Sequence, residues 1–280
     1  MPPVYRSKTH AIQALFARSR AVIGVVHLPP LPGAPEYRGA TMDELVETAL
    51  LDAERYARGG VHGLIVENHG DIPFAKPSDL GPETAAVMAV IADRVRREVG
   101  LPLGVNVLAN GAHHALAVAH ASGASFVRVN QWANAYVANE GILEGPAASA
   151  TRYRAWLRAY GVRVFADVHV KHGAHAIVAD RGLPELTRDL EFFDADAVIV
   201  TGQRTGDGAE LAELAVVRKA TGLPLLVGSG VSQTNVGEVL GIADGVIVAS
   251  ALKEEGVWWT PVSEAKVAAF MKVVEEITGR

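Results

Sequence analysis

Cysteine is absent from the 280 residues, which excludes disulfides and thiolate metal sites. Positive charge is not in excess either: 26 basic and 31 acidic side chains give a formal net charge of −5. That balance argues against a nucleic-acid partner held by phosphate attraction. The longest apolar runs are strand-length, too short to span a bilayer, and residues 1–6 lack the apolar core of a signal peptide. A cytoplasmic protein without an integral membrane segment is the expectation. What the chain does have is apolar residues at 49%, enough for a full core in one domain spanning 1–280, with residues 1–20 as a helical N-terminal extension.

Apolar, β-branched runs recur along that length with helical stretches between them. Strands are expected over 21–27, 63–67, 103–107, 125–130, 162–168, 197–201, 225–227 and 245–248. Most are apolar throughout rather than alternating, as parallel strands covered on both faces require. Helices are expected over 45–58, 82–99, 111–121, 148–160, 186–192, 208–220, 234–240 and 264–277, and a segment over 10–18 is placed to cover a barrel bottom. Thr41 and Glu44 have the spacing of a capping box, and Gly59-Gly60 ends the helix it opens. Eight β–α units predict an α/β fold, a single (β/α)8 barrel of the TIM type.

The loops after the strands are the long ones. Residues 28–39 carry prolines that make a stiff, extended loop, and residues 131–149 are read as an irregular one. Both are candidate lids, because chemistry in such barrels sits at the carboxyl ends of the strands. A rigid surface turn or partner contact is the lesser alternative for the first.

Ionisable and polar residues gather at that same end: His27, Glu67, Asn68, Asn106, Arg128, Asn130, Asp167, His169, Lys171 and Thr201. In a barrel they converge on one cavity, where carboxylates and imidazoles act as acid and base. A carboxylate directly ending an apolar strand is partly desolvated, so the Glu67 pKa is expected to rise; a salt bridge to Arg128 or Lys171 is the alternative. Asp167 and His169 are two apart and point to the same side of an extended strand. With His27 and Glu67 they form a candidate site for a divalent cation, the one cofactor considered. Lys171 has the place of a Schiff-base lysine, though a lysine there more often binds a carboxylate or phosphate. Gly202 and Asp207 belong to a ligand-binding loop after the sixth strand, or to an ordinary turn there. His113-His114 reads as a surface pair, and His62, His69, His120 and His175 have no assigned role.

The last two strands end in Gly228-Ser229-Gly230 and Ala249-Ser250-Ala251, each followed by a helix-like segment. Small residues let backbone N–H groups approach an anion, and a helix N-terminus adds partial positive charge. These six residues predict a phosphate site. The partner expected is a small phosphorylated molecule.

Several motifs together resemble the BtpA family: Val26-His27-Leu28-Pro29-Pro30-Leu31-Pro32-Gly33, Val66-Glu67-Asn68, Asp71-Ile72-Pro73-Phe74, Val105-Asn106, Arg128-Val129-Asn130, Asp167-Val168-His169 with Lys171-His172, and Val200-Thr201-Gly202. The resemblance covers nearly the whole chain. It implies a TIM-type barrel from a family named for photosystem I assembly or stability, with members in non-photosynthetic organisms that favour a more general activity. Glu67, Ile72-Pro73-Phe74 and Asp79 also resemble the tryptophan synthase α subunit and other ribulose-phosphate-binding barrels, where a glutamate ending strand two and a later aspartate are catalytic. Here the intervening segment is longer, which puts Asp79 in doubt.

The reading is an isomerase or lyase working on a sugar phosphate by proton transfer. Glu67 and Asp167 are acid and base, His27 and His169 assist, and Arg128 and Lys171 neutralise developing negative charge. A homo-oligomer is expected. The alternatives are an assembly factor that contacts a protein partner through the proline-rich loop and Trp258-Trp259, and a metal-dependent hydrolase.

Overall fold

A computed structural model describes residues 9–202 and 210–279. In chain order the elements are α1 (Ala11–Phe16), β1 (Ala21–His27), α2 (Met42–Arg58), β2 (Gly63–Glu67), α3 (Pro82–Val99), β3 (Leu103–Asn106), α4 (Ala112–Ser122) and β4 (Phe126–Val129). There follow β5 (Ala135–Ala138), β6 (Gly141–Glu144), α5 (Ala147–Trp156), β7 (Arg163–His169), α6 (Leu183–Phe192), β8 (Ala197–Val200) and α7 (Leu211–Ala220). The last are β9 (Leu225–Val227), α8 (Val236–Leu240), β10 (Gly245–Val248) and α9 (Glu264–Thr278). Eight parallel strands close in the order β1-β10-β9-β8-β7-β4-β3-β2, the TIM-barrel architecture expected from the sequence. Among the described residues no helix is long and apolar enough to cross a membrane.

Alternation along each strand divides the core in two. Ile23, Val25, Ile65, Phe126, Phe165, Ile199, Leu226 and Ile247 fill the barrel interior, while Val22, Val26, Leu64, Val66, Val105, Val127, Val198 and Val246 pack outward beneath the helices. Both sets are buried, so the strands read as continuous apolar runs. Space inside is tight. Phe126 stacks on Phe165 at 4.6 Å, and a Cβ on Gly104 would fall 2.2 Å from the Phe126 ring, so β3 leaves that place to an aromatic neighbour. Below them α1 plugs the bottom as expected, with Ala11, Ile12 and Phe16 joining the interior cluster.

The Thr41–Glu44 capping box forms in both directions. Three expectations are corrected. The stretch read as irregular after β4 contains an antiparallel hairpin of β5 and β6, whose Tyr136 and Leu143 are buried while Val137 and Ile142 are exposed. The segment after β9 becomes a helix only at Val236, and α8 has five residues. After β10 there is a single 3-10 turn, Ser250–Leu252. Asp207 and the start of the helix expected from 208 lie outside the described residues.

Candidate active site

Strand parity and register assemble the site. The inward positions of β1 to β4 above the apolar layer are His27, Glu67, Asn106 and Arg128, and the ladder pairs His27 with Glu67, Glu67 with Asn106, and Asn106 with Arg128. Four polar side chains therefore line up around half the rim simply because each is the last inward residue of its strand. His69, two residues beyond Glu67, keeps the same side.

Glu67 is the hub. Its Oε2 accepts a hydrogen bond from Asn106 Nδ2 at 2.6 Å, and its Oε1 accepts one from His69 Nδ1 at 3.0 Å. Nε2 of His27 lies 3.6 Å from the same Oε1. The two imidazoles stack with ring centroids 4.6 Å apart, and Trp258 meets the His69 ring edge-on at 4.5 Å. Nδ1 of His27 donates to the Trp258 carbonyl at 3.2 Å, which leaves Nε2 facing the carboxylate. Burial drives the His27 pKa down to about 3, against the raising influence of Glu67, so this imidazole is neutral near pH 7. For Glu67, burial acts upward, but the His69 hydrogen bond and the electrostatic influence of the neighbouring His69, His27 and Arg128 side chains outweigh it. The net direction is downward, opposite to the sequence expectation. Hydrogen bonds and charge therefore win over desolvation, and Glu67 is a carboxylate near pH 7.

Arg128 and Asp167 form a second unit. Nε and Nη2 of the guanidinium donate to the two Asp167 carboxylate oxygens at 3.1 and 2.9 Å, and Asn130 Nδ2 donates to Oδ2 at 3.4 Å. The Asp167 side chain is 0% exposed, so it holds Arg128 from below rather than lining the cavity. Burial lowers the Arg128 pKa, but Asp167 and Glu67 raise it further and the net shift is upward.

The cavity above these groups measures about 280 Å³. His27, Glu67, His69, Arg128 and Lys171 line one side of it, while residues 228–232 and 247–251, at and beyond the ends of β9 and β10, line the other. Gly228 is needed there: a Cβ would come within 2.9 Å of Ile199 and 3.5 Å of Arg128 Nη2. Its N–H is spent on the Val200 carbonyl at 2.9 Å. Gly230 adopts φ +62°, and Asn235 Nδ2 donates to its carbonyl at 2.8 Å. α8 starts beyond this loop, so loop residues rather than a helix terminus line the cavity.

Other expected site residues are placed elsewhere. Asn68 is on the outward parity and fully buried; its Nδ2 donates to Asp71 and to the Leu108 carbonyl, and its Oδ1 accepts from the Leu108 N–H. With Asp71 Oδ1 accepting from Leu31 N–H at 2.8 Å, it ties together the loops after β1, β2 and β3. Thr201 is buried and accepts from the Lys171 N–H at 3.0 Å, and Gly202 next to it is also buried. Asp79 is exposed in the turn before α3, bonded by Ser78.

The four-residue cation set is corrected in half. The β7–β8 register shifts between Asp167 and His169, and a bulge breaks the two-residue alternation that put both on one side. His169 instead meets His175 at 3.9 Å and lines a separate pocket with it, where burial and then His175 lower its pKa. Asp167 is occupied by Arg128. The donor atoms that converge are those of His27, Glu67 and His69, all within 4.8 Å of one another.

A sequence profile described as the BtpA family matches residues 18–276. The chain belongs to that family. It is 38% identical over 262 residues to the photosystem I biogenesis protein BtpA of Synechocystis sp., covering 93% of this chain and 90% of that protein. Among solved structures, the chain is similar to thiamine phosphate pyrophosphorylase from Pyrococcus furiosus at TM-score 0.57 and 16% identity, covering 92% of this chain and 97% of that one. It is also similar to the tryptophan synthase α subunit of Legionella pneumophila at TM-score 0.56 and 14% identity, covering 96% and 99%. At such identities these two report the barrel that the family member shares with them.

Proposed function

We propose that this BtpA-family barrel is an enzyme acting on a small phosphorylated molecule, of the sugar-phosphate type, by proton transfer. The observation that carries the reading is one cavity with two chemically different sides, a side of mostly small, uncharged residues at 228–232 and 247–251 and an ionic side at Glu67, His69, Arg128 and Lys171. Phosphate on the backbone side would fix the reacting end against the ionic side, which is the use of remote binding energy. Glu67, ionised and bonded to His69, serves as the base that removes a proton from carbon beside a carbonyl. Negative charge developing on the carbonyl oxygen is met by Arg128 and Lys171, and return of the proton to a neighbouring atom completes an isomerisation. Asp167 acts as the positioning residue for Arg128.

Kinship with the Synechocystis protein supports a second reading, a biogenesis factor working through a protein partner. The apolar groove beside the β1 loop, with Leu51, Ile72 and Trp259 exposed, is the surface it would use.

A thermal-shift screen separates the two. A ligand that binds only the native state raises the melting temperature by mass action. At a concentration about 100 times its Kd a phosphosugar should raise Tm by roughly 5 °C or more, and the same sugar without its phosphate should leave it unchanged. A broad phosphosugar panel without any shift would favour the partner-binding reading.

A further inference from the structure

We propose that His27, Glu67 and His69 form a binding site for one divalent transition-metal ion, of the zinc or manganese class, at the inner wall of the cavity. Three donor atoms, two imidazole nitrogens and a carboxylate oxygen, lie within 4.8 Å of one another. That spread suits atoms around one shared centre, since zinc-to-ligand distances of about 2 Å place ligands roughly 3 to 4 Å apart. His27 and Glu67 end adjacent, register-paired strands, and His69 follows two residues beyond Glu67 in the turn after β2.

The surroundings of the donors are those of metal ligands. His27 gives its Nδ1–H to the Trp258 carbonyl at 3.2 Å, the backbone anchor that orients a coordinating imidazole and leaves the other nitrogen for the ion. Asn106 occupies Glu67 Oε2 at 2.6 Å, so Oε1 is the oxygen turned toward both imidazoles. The neighbouring Asn106 Oδ1 is buried and finds no donor among the described residues, an unmet acceptor beside the cluster. All three donor residues also line the cavity. A three-ligand site with room on its open side is the catalytic rather than the structural pattern. Two imidazoles with one carboxylate select zinc, manganese, iron or cobalt over magnesium or calcium, which take oxygen ligands.

Binding would replace the present His69–Glu67 hydrogen bond by bonds from both groups to the ion. With the ion bound, Glu67 is a ligand rather than the base of the proposed reaction, and Arg128 and Lys171 are the ionisable cavity residues outside the cluster. The proposal needs the cluster but not the phosphate loop.

The test uses the full chain stripped with EDTA and titrated calorimetrically with Zn²⁺ and Mn²⁺, with the visible spectrum of the Co²⁺ form as a second readout. One ion per chain is expected, with an intense Co²⁺ spectrum unlike that of the aqueous ion. His69→Ala and His27→Ala should each weaken binding by about tenfold or more, while His169→Ala, in a separate pocket, should bind as the parent does. His69 is only partly buried, so its variant is the one expected to melt like the metal-free parent. Absence of a stoichiometric ion, a Co²⁺ spectrum identical to the aqueous ion, or undiminished affinity in His69→Ala would overturn the site. A phosphosugar shift surviving those results would leave the enzyme reading standing without a metal.

Discussion

Asp167→Ala is expected to lower the free energy of unfolding by about 3–5 kcal/mol, the cost of leaving one member of a buried ion pair without its partner. The size follows from burial. Both side chains of the Arg128–Asp167 pair are nearly inaccessible, 7% and 0% exposed, and two parallel hydrogen bonds join them. Removal of the carboxylate strands a guanidinium in the barrel mouth, with Glu67 as the remaining nearby negative charge. Urea unfolding of parent and variant measures the loss. The double variant Arg128→Met with Asp167→Leu should recover much of it, because neither charge is then buried. A loss below about 1 kcal/mol, the size of an exposed pair, would show that the guanidinium relaxes into water and that Asp167 does not hold it in place.

The second large effect concerns the other side of the cavity. Ser229→Asp puts a carboxylate into the wall that is proposed to receive phosphate, where Ser229 is 8% exposed. Like charges at close range in a partly desolvated site cost several kcal/mol, and each 1.4 kcal/mol is about tenfold in affinity. Affinity for any phosphosugar found to bind the parent should therefore fall by roughly 100-fold or more. Isothermal titration of parent and variant measures the loss. Equal phosphosugar binding in parent and variant would mean that the phosphate does not sit at 228–232.

Much of this site is legible in the sequence because a parallel strand in a closed barrel has so few options. The last inward residue of an apolar run must face the mouth, and that rule alone selects His27, Glu67, Asn106 and Arg128. It fails at β7, where the bulge between Asp167 and His169 adds a residue that no composition or spacing announces. His69 was within reach of the same rule, since it follows Glu67 by two. It goes unassigned because a glycine and an aspartate follow it and the strand already ends at Glu67. The pairing of Lys253 with Asp52, buried and 2.5 Å apart across 201 positions, carries no local signal at all. Its lysine is pulled down by burial against the opposing pull of Asp52, and it joins the turn after β10 to α2. The hairpin of β5 and β6 alternates in burial, with Tyr136 and Leu143 inside and Val137 and Ile142 outside, but all four are apolar, so no period-two pattern marks it in the sequence.

The central claim is that one cavity gathers an anion cradle and the Glu67 cluster around a single ligand. Its most direct test is a crystal of the protein soaked with tungstate, a phosphate mimic whose anomalous scattering marks its position. The account predicts a peak at the backbone of 228–232 and 249–251, on the far side of the cavity from Glu67, and loss of that peak in Ser229→Asp. A cavity without anomalous density at saturating tungstate, or a peak unchanged in the variant, would contradict it.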